Sequence, residues 1–180
     1  MEWILGEEWS QTGEKSLKPL NIFVSYSQKN DTDYLERLCV NLKPKERARK
    51  IIVQHDQHFI AGSNLDNLIK DKLENTDVFV CILSEDYLAS DYCQKELNYA
   101  REQARKGMMC VVGIVARPCA WREVFPGNLL VLPKSAKPII KWKPQDDAWL
   151  NITSQLDFLC EKLSILPKPW PFVSDERVEF

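Results

Sequence analysis

The fold is decided by six consecutive apolar residues, VFVCIL, at positions 78–83. A strand with one solvent-exposed face alternates apolar and polar residues, whereas a strand inside a parallel sheet is covered on both faces and is apolar throughout. A second such run, MMCVVGIVA, occupies positions 108–116. Between the two runs lies a more polar segment that breaks near Ser90 and continues as a predicted helix to about Lys106, where Gly107 ends it. The pattern therefore predicts two buried parallel strands joined by helical structure.

The rest of the chain continues this alternation of strands and helices. The first half adds predicted strands at residues 20–26 and 51–53, and predicted helices at residues 32–42, ended by Pro44, and 65–73. Asn30 and Asp31 are candidate caps of the first helix. The second half adds a long loop at residues 117–136, a short fifth strand at 137–140 and a last helix at about 146–163. Five strands that alternate with helices predict an α/β fold, a flavodoxin-like three-layer sandwich with a central five-stranded parallel sheet.

The length of 180 residues favours one domain with short flanking segments. We predict an N-terminal arm at residues 1–19 that docks through Trp3 and Trp9, a domain at residues 20–165, and a tail at residues 166–180. The tail is rich in proline and aromatic residues, so we expect it to lie extended on the surface.

Charge and cysteine content restrict the class of protein. The net charge of −2 and the lack of a basic stripe in the sequence argue against nucleic acid as a direct partner. The six cysteines share no CxxC spacing, which favours reduced thiols over a disulfide framework or a zinc site. The acidic N-terminus is unlike a signal peptide, and no apolar run approaches the roughly 20 residues of a membrane helix. We therefore expect a cytoplasmic protein that makes no membrane contact.

Polar residues follow three of the predicted strands at their carboxyl ends. In chain order these groups are Ser25, Tyr26 and Ser27, then His55 and Asp56, then Ser84 and Glu85. Because ligands of parallel α/β sheets bind outside the carboxyl ends of the strands, we expect the functional site there. The second loop also holds His58, but no third convincing ligand accompanies the two histidines, so we expect no metal site.

Glu96 is the candidate catalytic residue on the helix that follows the third strand. On a helix that starts near Asp91, Tyr92 and Glu96 are four residues apart and share one face. Leu97 and Ala100 lie close to Glu96 in sequence, which favours a partly desolvated carboxylate aimed into the cleft. Position alone does not distinguish this role from that of an ordinary surface charge.

Three segments, at residues 22–27, 55–62 and 83–97, together resemble the Toll/interleukin-1 receptor (TIR) domain family. The first is similar to the opening motif of TIR domains, the second to their BB loop, and the third to the segment that carries the glutamate of NAD-cleaving members. Residues 117–121, 132–134 and 138–142 resemble the microbial branch of the family. The resemblance covers about residues 20–163, and its specificity lies in the order and spacing of the segments.

The resemblance implies a role for each candidate site residue. Glu96 would be the catalytic carboxylate, and Tyr92 the aromatic residue one turn before it. The remaining implied residues would line the pocket near the ribose and nicotinamide or shape the BB loop over the substrate: Phe23, Ser25, Tyr26, Asp56 and Gly62.

The activity implied by the resemblance is that of an NAD+ nucleosidase. It would cleave the bond between nicotinamide and ribose and release nicotinamide plus ADP-ribose or a cyclic ADP-ribose product. NAD would be the substrate, and no cofactor is implied. Catalysis in this family generally requires assembly, so we expect self-association through the BB loop, residues 55–63, with other TIR or sensor proteins as further partners. The microbial branch implies a role in immune, antiphage defence.

Two alternatives compete with the enzyme. A non-catalytic TIR scaffold would signal only through TIR–TIR contacts made by the same loop. Scaffold members often lack the glutamate, so Glu96 beside Tyr92 favours the enzyme. A phospho-acceptor receiver domain shares the α/β alternation but needs an acidic pair after the first strand to bind magnesium. Residues 25–27, Ser-Tyr-Ser, stand there instead and argue against that class.

Overall fold

The sheet at the centre of the fold has five parallel strands in the order β2-β1-β3-β4-β5. The computed structural model describes residues 18–55, 64–125 and 129–170. Within these ranges the strands are β1 (Leu20–Ser25), β2 (Ile51–His55), β3 (Val78–Leu83), β4 (Cys110–Val115) and β5 (Leu130–Leu132). The predicted flavodoxin-like α/β fold is confirmed. The strand order changes direction between β1 and β3, because the chain places β2 on one side of β1 and β3 on the other.

Helices cover both faces of the sheet. One face is covered by α1 (Thr32–Arg47) and α5 (Gln145–Ile165), and the other by α2 (Leu65–Leu73), α3 (Glu85–Ala89) and α4 (Asp91–Arg105). All residues of β3 are buried, as its continuous apolar sequence predicts. Alternation along β1 places Ile22 and Val24 in the core under α1 and α5, and Phe23 in the core under α4. Ser25, two residues after Phe23, therefore faces α4.

Two serines define the break between α3 and α4. Ser84 follows β3 and accepts a hydrogen bond from the Tyr87 amide at 3.0 Å, which caps α3. Ser90 caps α4 in the same way through the Cys93 amide at 3.3 Å. The break predicted near Ser90 is confirmed. It lets the first turns of α4 pack against the end of β1.

Helix α1 does not end at Pro44, as predicted, but continues through it to Arg47. Pro44 has no amide hydrogen to donate to the carbonyl of Val40, four residues earlier. Val40 is 68% exposed, so this turn lies on the solvent side of the helix, where water can replace the lost hydrogen bond. The prediction was wrong because a proline ends a helix less strictly on a solvated face.

The fifth strand is β5 and not the predicted strand at residues 137–140. β5 lies within the segment predicted as a loop and pairs with β4 at the edge of the sheet. The segment Ile139–Lys141 forms a 3₁₀ turn instead. The Ile139 side chain is buried, and the Ile140 amide donates a hydrogen bond of 3.2 Å to the carbonyl of Ala116. A strand of three residues followed by Pro133 is too short to show a periodic pattern, which explains the error.

The last described residue of the C-terminal tail, Trp170, is docked in the core, which the prediction missed, whereas Pro167, Lys168 and Pro169 are exposed, as expected of a surface segment. Trp170 is 4% exposed and packs in the core under α1 and α5. Its amide donates to the Gly107 carbonyl at 2.8 Å, and the Lys168 ammonium lies 2.7 Å from the Asp77 carboxylate. A buried tryptophan removes a large apolar area from water, which offsets the cost of ordering this segment.

Replacement of Gly107 by alanine is expected to destabilise the domain by about 1–2 kcal/mol through its backbone alone, because Gly107 has a φ of +69°. A Cβ atom there would also lie 2.8 Å from the carbonyl oxygen of Trp170 and 2.9 Å from its nitrogen, so the docked tail must move. Urea denaturation of the two proteins measures the loss. In a chain that ends before Pro169 the substitution should cost less. An equal cost in both chains would exclude the tail contact as a cause.

Two predicted segments lie mainly outside the described residues. These are the N-terminal arm, of which residues 1–17 are not described, and the end of the tail at residues 171–180. Among the residues that are described, no helix is both long enough and apolar enough to cross a membrane.

Candidate functional site

A cleft of about 440 Å³ opens at the carboxyl edge of the sheet, beside the end of β1. Its walls come from the last residues of β1 and the loop that follows, from α3, and from the first turns of α4. The strand order changes direction at this point, and parallel α/β sheets bind their ligands at such points. The cleft lies at the carboxyl ends of the strands, where the polar residues of the sequence predict the functional site.

Glu96 projects from α4 toward β1. It is 3% exposed, and its Oε2 atom accepts a hydrogen bond of 2.5 Å from the Ser25 hydroxyl. Tyr92, one turn earlier, lines the same cleft. Glutamates are almost never fully buried unless they are paired. The burial of Glu96 therefore separates it from an ordinary surface charge, and it exceeds the partial desolvation that the sequence predicts.

Hydrogen bonds converge on this carboxylate from two sides. Ser25 donates its only hydroxyl hydrogen to Glu96, so Tyr87, 3.1 Å from the Ser25 oxygen, is the donor of that contact. On the other side, the Tyr92 hydroxyl bonds to Glu96 and receives a hydrogen bond of 3.3 Å from the Lys72 ammonium. The Ser25 and Tyr92 hydroxyls donate to Glu96, and Tyr87 and Lys72 donate to those two hydroxyls, an arrangement that favours the ionised carboxylate.

Burial and hydrogen bonding act in opposite directions on the pKa of Glu96. Burial is the larger effect and raises the pKa above its usual value. The hydrogen bonds from Ser25 and Tyr92 and the positive charge of Lys72 each lower it. Glu96 is thus costly to ionise, yet its ionised form meets donors that are already in place. Carboxylates with such perturbed pKa values in a cleft are typical of functional sites.

The two aromatic residues predicted to line the pocket, Phe23 on β1 and Tyr26 directly after β1, point to opposite faces of the sheet. Phe23 lines the cleft on the α4 side and stacks on Phe79, with 6.0 Å between the ring centroids. Tyr26 also lines the cleft, but its ring packs in the core under α1 and α5, edge-on to His55 at 6.5 Å between centroids. Its carbonyl accepts a contact of 3.5 Å from the Cys93 thiol. Tyr26 therefore belongs to the rim of the cleft, away from its polar centre.

A second polar cluster lies beside the cleft at the same edge of the sheet. Asp31 is fully buried, and its carboxylate accepts hydrogen bonds from the Ser84 hydroxyl at 2.5 Å and the Arg117 guanidinium at 2.8 Å. Arg117 also contacts Asp86 at 2.9 Å. Asp31 occupies the N-cap position of α1, but its side chain makes no capping hydrogen bond because it is engaged by these partners. The cluster joins the loops that follow β1, β3 and β4.

The pKa values of the two carboxylates of this cluster are shifted in opposite directions from the usual value of aspartate. Burial raises the pKa of Asp31, against the hydrogen bonds from Ser84 and Arg117 that lower it. The hydrogen bonds from Asn30 and Arg117 lower the pKa of Asp86 to about 2. Since Asp86 also lines the cleft, the cluster places an ionised carboxylate on the wall of the cleft.

A family model described as "TIR domain" matches residues 22–148 of the chain. The chain belongs to the TIR domain family. The matched stretch includes every residue that lines the cleft, so the TIR assignment covers the site as well as the sheet. The resemblance drawn from residues 22–27, 55–62 and 83–97 is confirmed at the level of the family.

Relatives of this TIR domain include a bacterial protein and vertebrate receptors. The chain is 33% identical over 135 residues to a protein of Sinorhizobium fredii described as uncharacterized protein y4lF, a match that covers 73% of this chain and 41% of the relative. It is 26% identical over 142 residues to Toll-like receptor 2 of Canis lupus familiaris, which covers 74% of this chain and 18% of the receptor. The chain thus spans less than half the length of these relatives. The solved TIR domain of the Toll-related receptor TRR-2 from Hydra magnipapillata is 17% identical, with a TM-score of 0.49 and coverage of 76% of this chain and 97% of that chain.

Part of the predicted site lies outside the described residues of the TIR domain. Asp56 and Gly62 fall within residues 56–63, which the structure does not describe, so their roles in the BB loop stay predictions. His55, directly before them, is the last residue of β2. Within the described ranges, no group of three or more His, Cys, Asp or Glu side chains is arranged to hold a metal ion.

The contributions of Lys72, Tyr87 and Arg117 were not predicted from the sequence. The position of Tyr87, four residues after a buried strand, was an available signal, because a buried phenol requires a hydrogen-bond partner. Lys72 and Arg117 reach their partners through tertiary packing of distant segments, and no local spacing indicates such contacts.

Proposed function

We propose that this TIR domain is an NAD+ nucleosidase that cleaves the bond between nicotinamide and ribose, with Glu96 as the catalytic carboxylate. The observation that carries the proposal is the buried carboxylate of Glu96, held by Ser25 and Tyr92 in a cleft at the carboxyl edge of the sheet. The products are nicotinamide and either ADP-ribose or a cyclic ADP-ribose. NAD is the substrate, and the proposed reaction uses no cofactor.

One carboxylate is sufficient for this reaction because the leaving group is already activated. The nicotinamide ring of NAD+ is cationic and departs as a neutral molecule with both electrons of the bond, so it needs no general acid. The transition state resembles an oxocarbenium ion, which a fixed anion beside the ribose stabilises. Addition of water to the ribose carbon, with loss of a proton, then gives ADP-ribose. Attack by a nitrogen of the adenine in the same molecule, also with loss of a proton, gives a cyclic product.

The surroundings of Glu96 suit this role. Ser25 and Tyr92 hold the carboxylate before the reaction begins, so little reorganisation is needed when positive charge develops on the ribose. Burial also strengthens the attraction between the carboxylate and that charge, because the surroundings have a lower effective dielectric constant than water.

Incubation of the purified protein with NAD+ tests the proposed activity. We expect nicotinamide to appear as NAD+ disappears, and mass spectrometry of the nucleotide product to distinguish ADP-ribose from a cyclic form, which is lighter by one water. No loss of NAD+ at any protein concentration, with or without a crowding agent, would contradict the enzyme. Binding to other TIR domains without turnover would then support the non-catalytic scaffold.

The activity per molecule is expected to rise steeply with protein concentration. The proposal includes self-association through the BB loop, residues 55–63, and association responds to concentration by mass action. β2, which directly precedes residues 56–63 in the sequence, is an edge strand of the sheet. Nicotinamide release per molecule, measured over a wide dilution range, checks this. A constant value would contradict a requirement for assembly.

The proposal extends to a role in immune signalling. Toll-like receptors are among the relatives, and the resemblance to the microbial branch favours antiphage defence in the cytoplasm, with other TIR or sensor proteins as partners. Loss of cellular NAD+ after phage challenge, compared between cells with and without the protein, tests this role.

A further inference from the structure

Lys72 connects α2 to the polar centre of the cleft. It lies in the last turn of α2, where its ammonium contacts the Tyr92 hydroxyl at 3.3 Å and lies 5.8 Å from the centroid of the Tyr92 ring. An ion pair of 3.5 Å between Lys95 and Asp66 joins the same two helices. The packing of α2 on α4 therefore determines where the Lys72 ammonium stands.

We propose that Lys72 is a positioning residue for Glu96, which orients the Tyr92 hydroxyl toward the carboxylate and balances the buried negative charge. An ammonium group only donates hydrogen bonds, so the Tyr92 oxygen is the acceptor of this contact. Tyr92 lies one turn before Glu96 on α4 and lines the same cleft, and a hydrogen bond from Tyr92 is among the causes that lower the pKa of Glu96. The consequence of this arrangement for the reaction rate rests on the proposed NAD+ nucleosidase activity, whereas its consequence for the titration of Glu96 does not.

Among the residues that the structure describes, the other titratable groups that face Glu96 carry no charge near neutral pH. Burial raises the pKa of the Cys93 thiol, on α4, to about 11. Burial also raises the pKa of Tyr87, on α3, and of Cys81, on β3. In the described part of the chain, the positive charge that lowers the pKa of Glu96 is that of Lys72. Removal of this one charge should therefore be visible in the titration of Glu96.

Replacement of Lys72 by methionine is expected to raise the pKa of Glu96 by about one pH unit, because a nearby opposite charge lowers a carboxyl pKa by about 1–3. Glu96 acts in its ionised form, so the acid limb of the pH profile of kcat/KM should move to higher pH by the same amount. Lys72→Arg keeps the charge and should leave the limb in place. Lys70→Met removes an equal charge from an exposed position on α2 and is the matched control.

Carboxyl titration by NMR, with the Glu96 signal assigned through Glu96→Gln, measures the same pKa whether or not the protein cleaves NAD+. An unchanged titration in Lys72→Met, or an equal change in Lys70→Met, would overturn the proposal. A raised pKa in Lys72→Met together with a wild-type protein that never cleaves NAD+ would contradict only the proposed function.

A Tyr92→Phe background tests the orienting role of Lys72 separately from its charge. Phenylalanine keeps the ring but removes the hydroxyl that joins Lys72 to Glu96. In this background, Lys72→Met should change the pKa of Glu96 by less than it does in the wild-type protein. An equal change in both backgrounds would overturn the part of the proposal that acts through Tyr92.

Discussion

Replacement of Glu96 by glutamine is expected to lower the rate of NAD+ cleavage by about a hundredfold to a thousandfold. Glutamine has the shape of glutamate and can still accept the hydrogen bond from Ser25. It carries no negative charge, however, and so cannot stabilise an oxocarbenium-like transition state. Because the charge acts on the transition state, kcat should fall while KM changes little. Nicotinamide release over a range of NAD+ concentrations measures both constants.

The same substitution should make the fold more stable. Burial raises the pKa of Glu96, so the folded protein holds the ionised carboxylate less readily than the unfolded chain does. The resulting loss of stability accumulates as the pH rises from the unfolded-state pKa to the raised folded-state pKa, and it is complete above the latter. Near neutral pH, Glu96→Gln should therefore gain about 0.5–2 kcal/mol in the free energy of unfolding. The gain should disappear as the pH falls and the wild-type carboxyl group becomes protonated.

Glu102→Gln is the matched control for both effects. Glu102 lies on the same helix and is exposed, in a pair with Lys106 at 3.0 Å. Its substitution removes an equal charge outside the cleft and should alter neither turnover nor the pH dependence of stability. If Glu96→Gln turned over NAD+ as fast as the wild-type protein, Glu96 would not be the catalytic group. If the Glu96→Gln variant unfolded more easily than the wild-type protein near neutral pH, the ionised carboxylate of Glu96 would not be what destabilises the fold.

The parts of the fold that the sequence predicts are those specified by local pattern. β3 and β4 are continuous apolar runs, and such runs indicate burial on both faces without information about neighbouring strands. α2 has the predicted bounds because Asn64 caps it and Ile69 and Leu73 repeat at helical spacing. β5 is held by pairing with β4 over only three residues, and so short a strand shows no alternation of apolar and polar residues in the sequence.

In the site, too, features that depend on local sequence could be predicted, and features that depend on tertiary contacts could not. The spacing of Tyr92 and Glu96 on one helix face is a local property and could be predicted. The near-complete burial of Glu96 depends on the packing of α4 against β1 and on the approach of Lys72 from α2, which are tertiary contacts. The contact between Asp31 and Arg117 joins residues that are 86 positions apart. No short sequence window contains both partners, so this ion pair between a buried carboxylate and a partly exposed guanidinium could be found only in the structure.

Replacement of Arg117 by leucine is expected to destabilise the domain by about 3 kcal/mol near neutral pH, because it leaves a buried charge without its partner. Asp31 is fully buried and would keep the Ser84 hydroxyl as its donor. Leucine also removes the contact to Asp86, so the loops after β1, β3 and β4 lose the group that joins them. These loops border the cleft, and NAD+ cleavage should fall as well. Urea denaturation at several pH values measures the loss of stability.

The pH dependence distinguishes the lost charge from lost packing. Burial already raises the pKa of Asp31, and removal of Arg117 should raise it further. As the pH falls, Asp31 in the variant takes up a proton and the buried charge disappears, so the loss of stability should shrink. The double variant Asp31→Asn, Arg117→Leu never carries the charge and should recover most of the stability at neutral pH. Lys29→Met breaks only the pair between Asp86 and a lysine that is 76% exposed, and should change stability little. An equal loss at acid and neutral pH, and in the double variant, would mean that Arg117 acts through its packing.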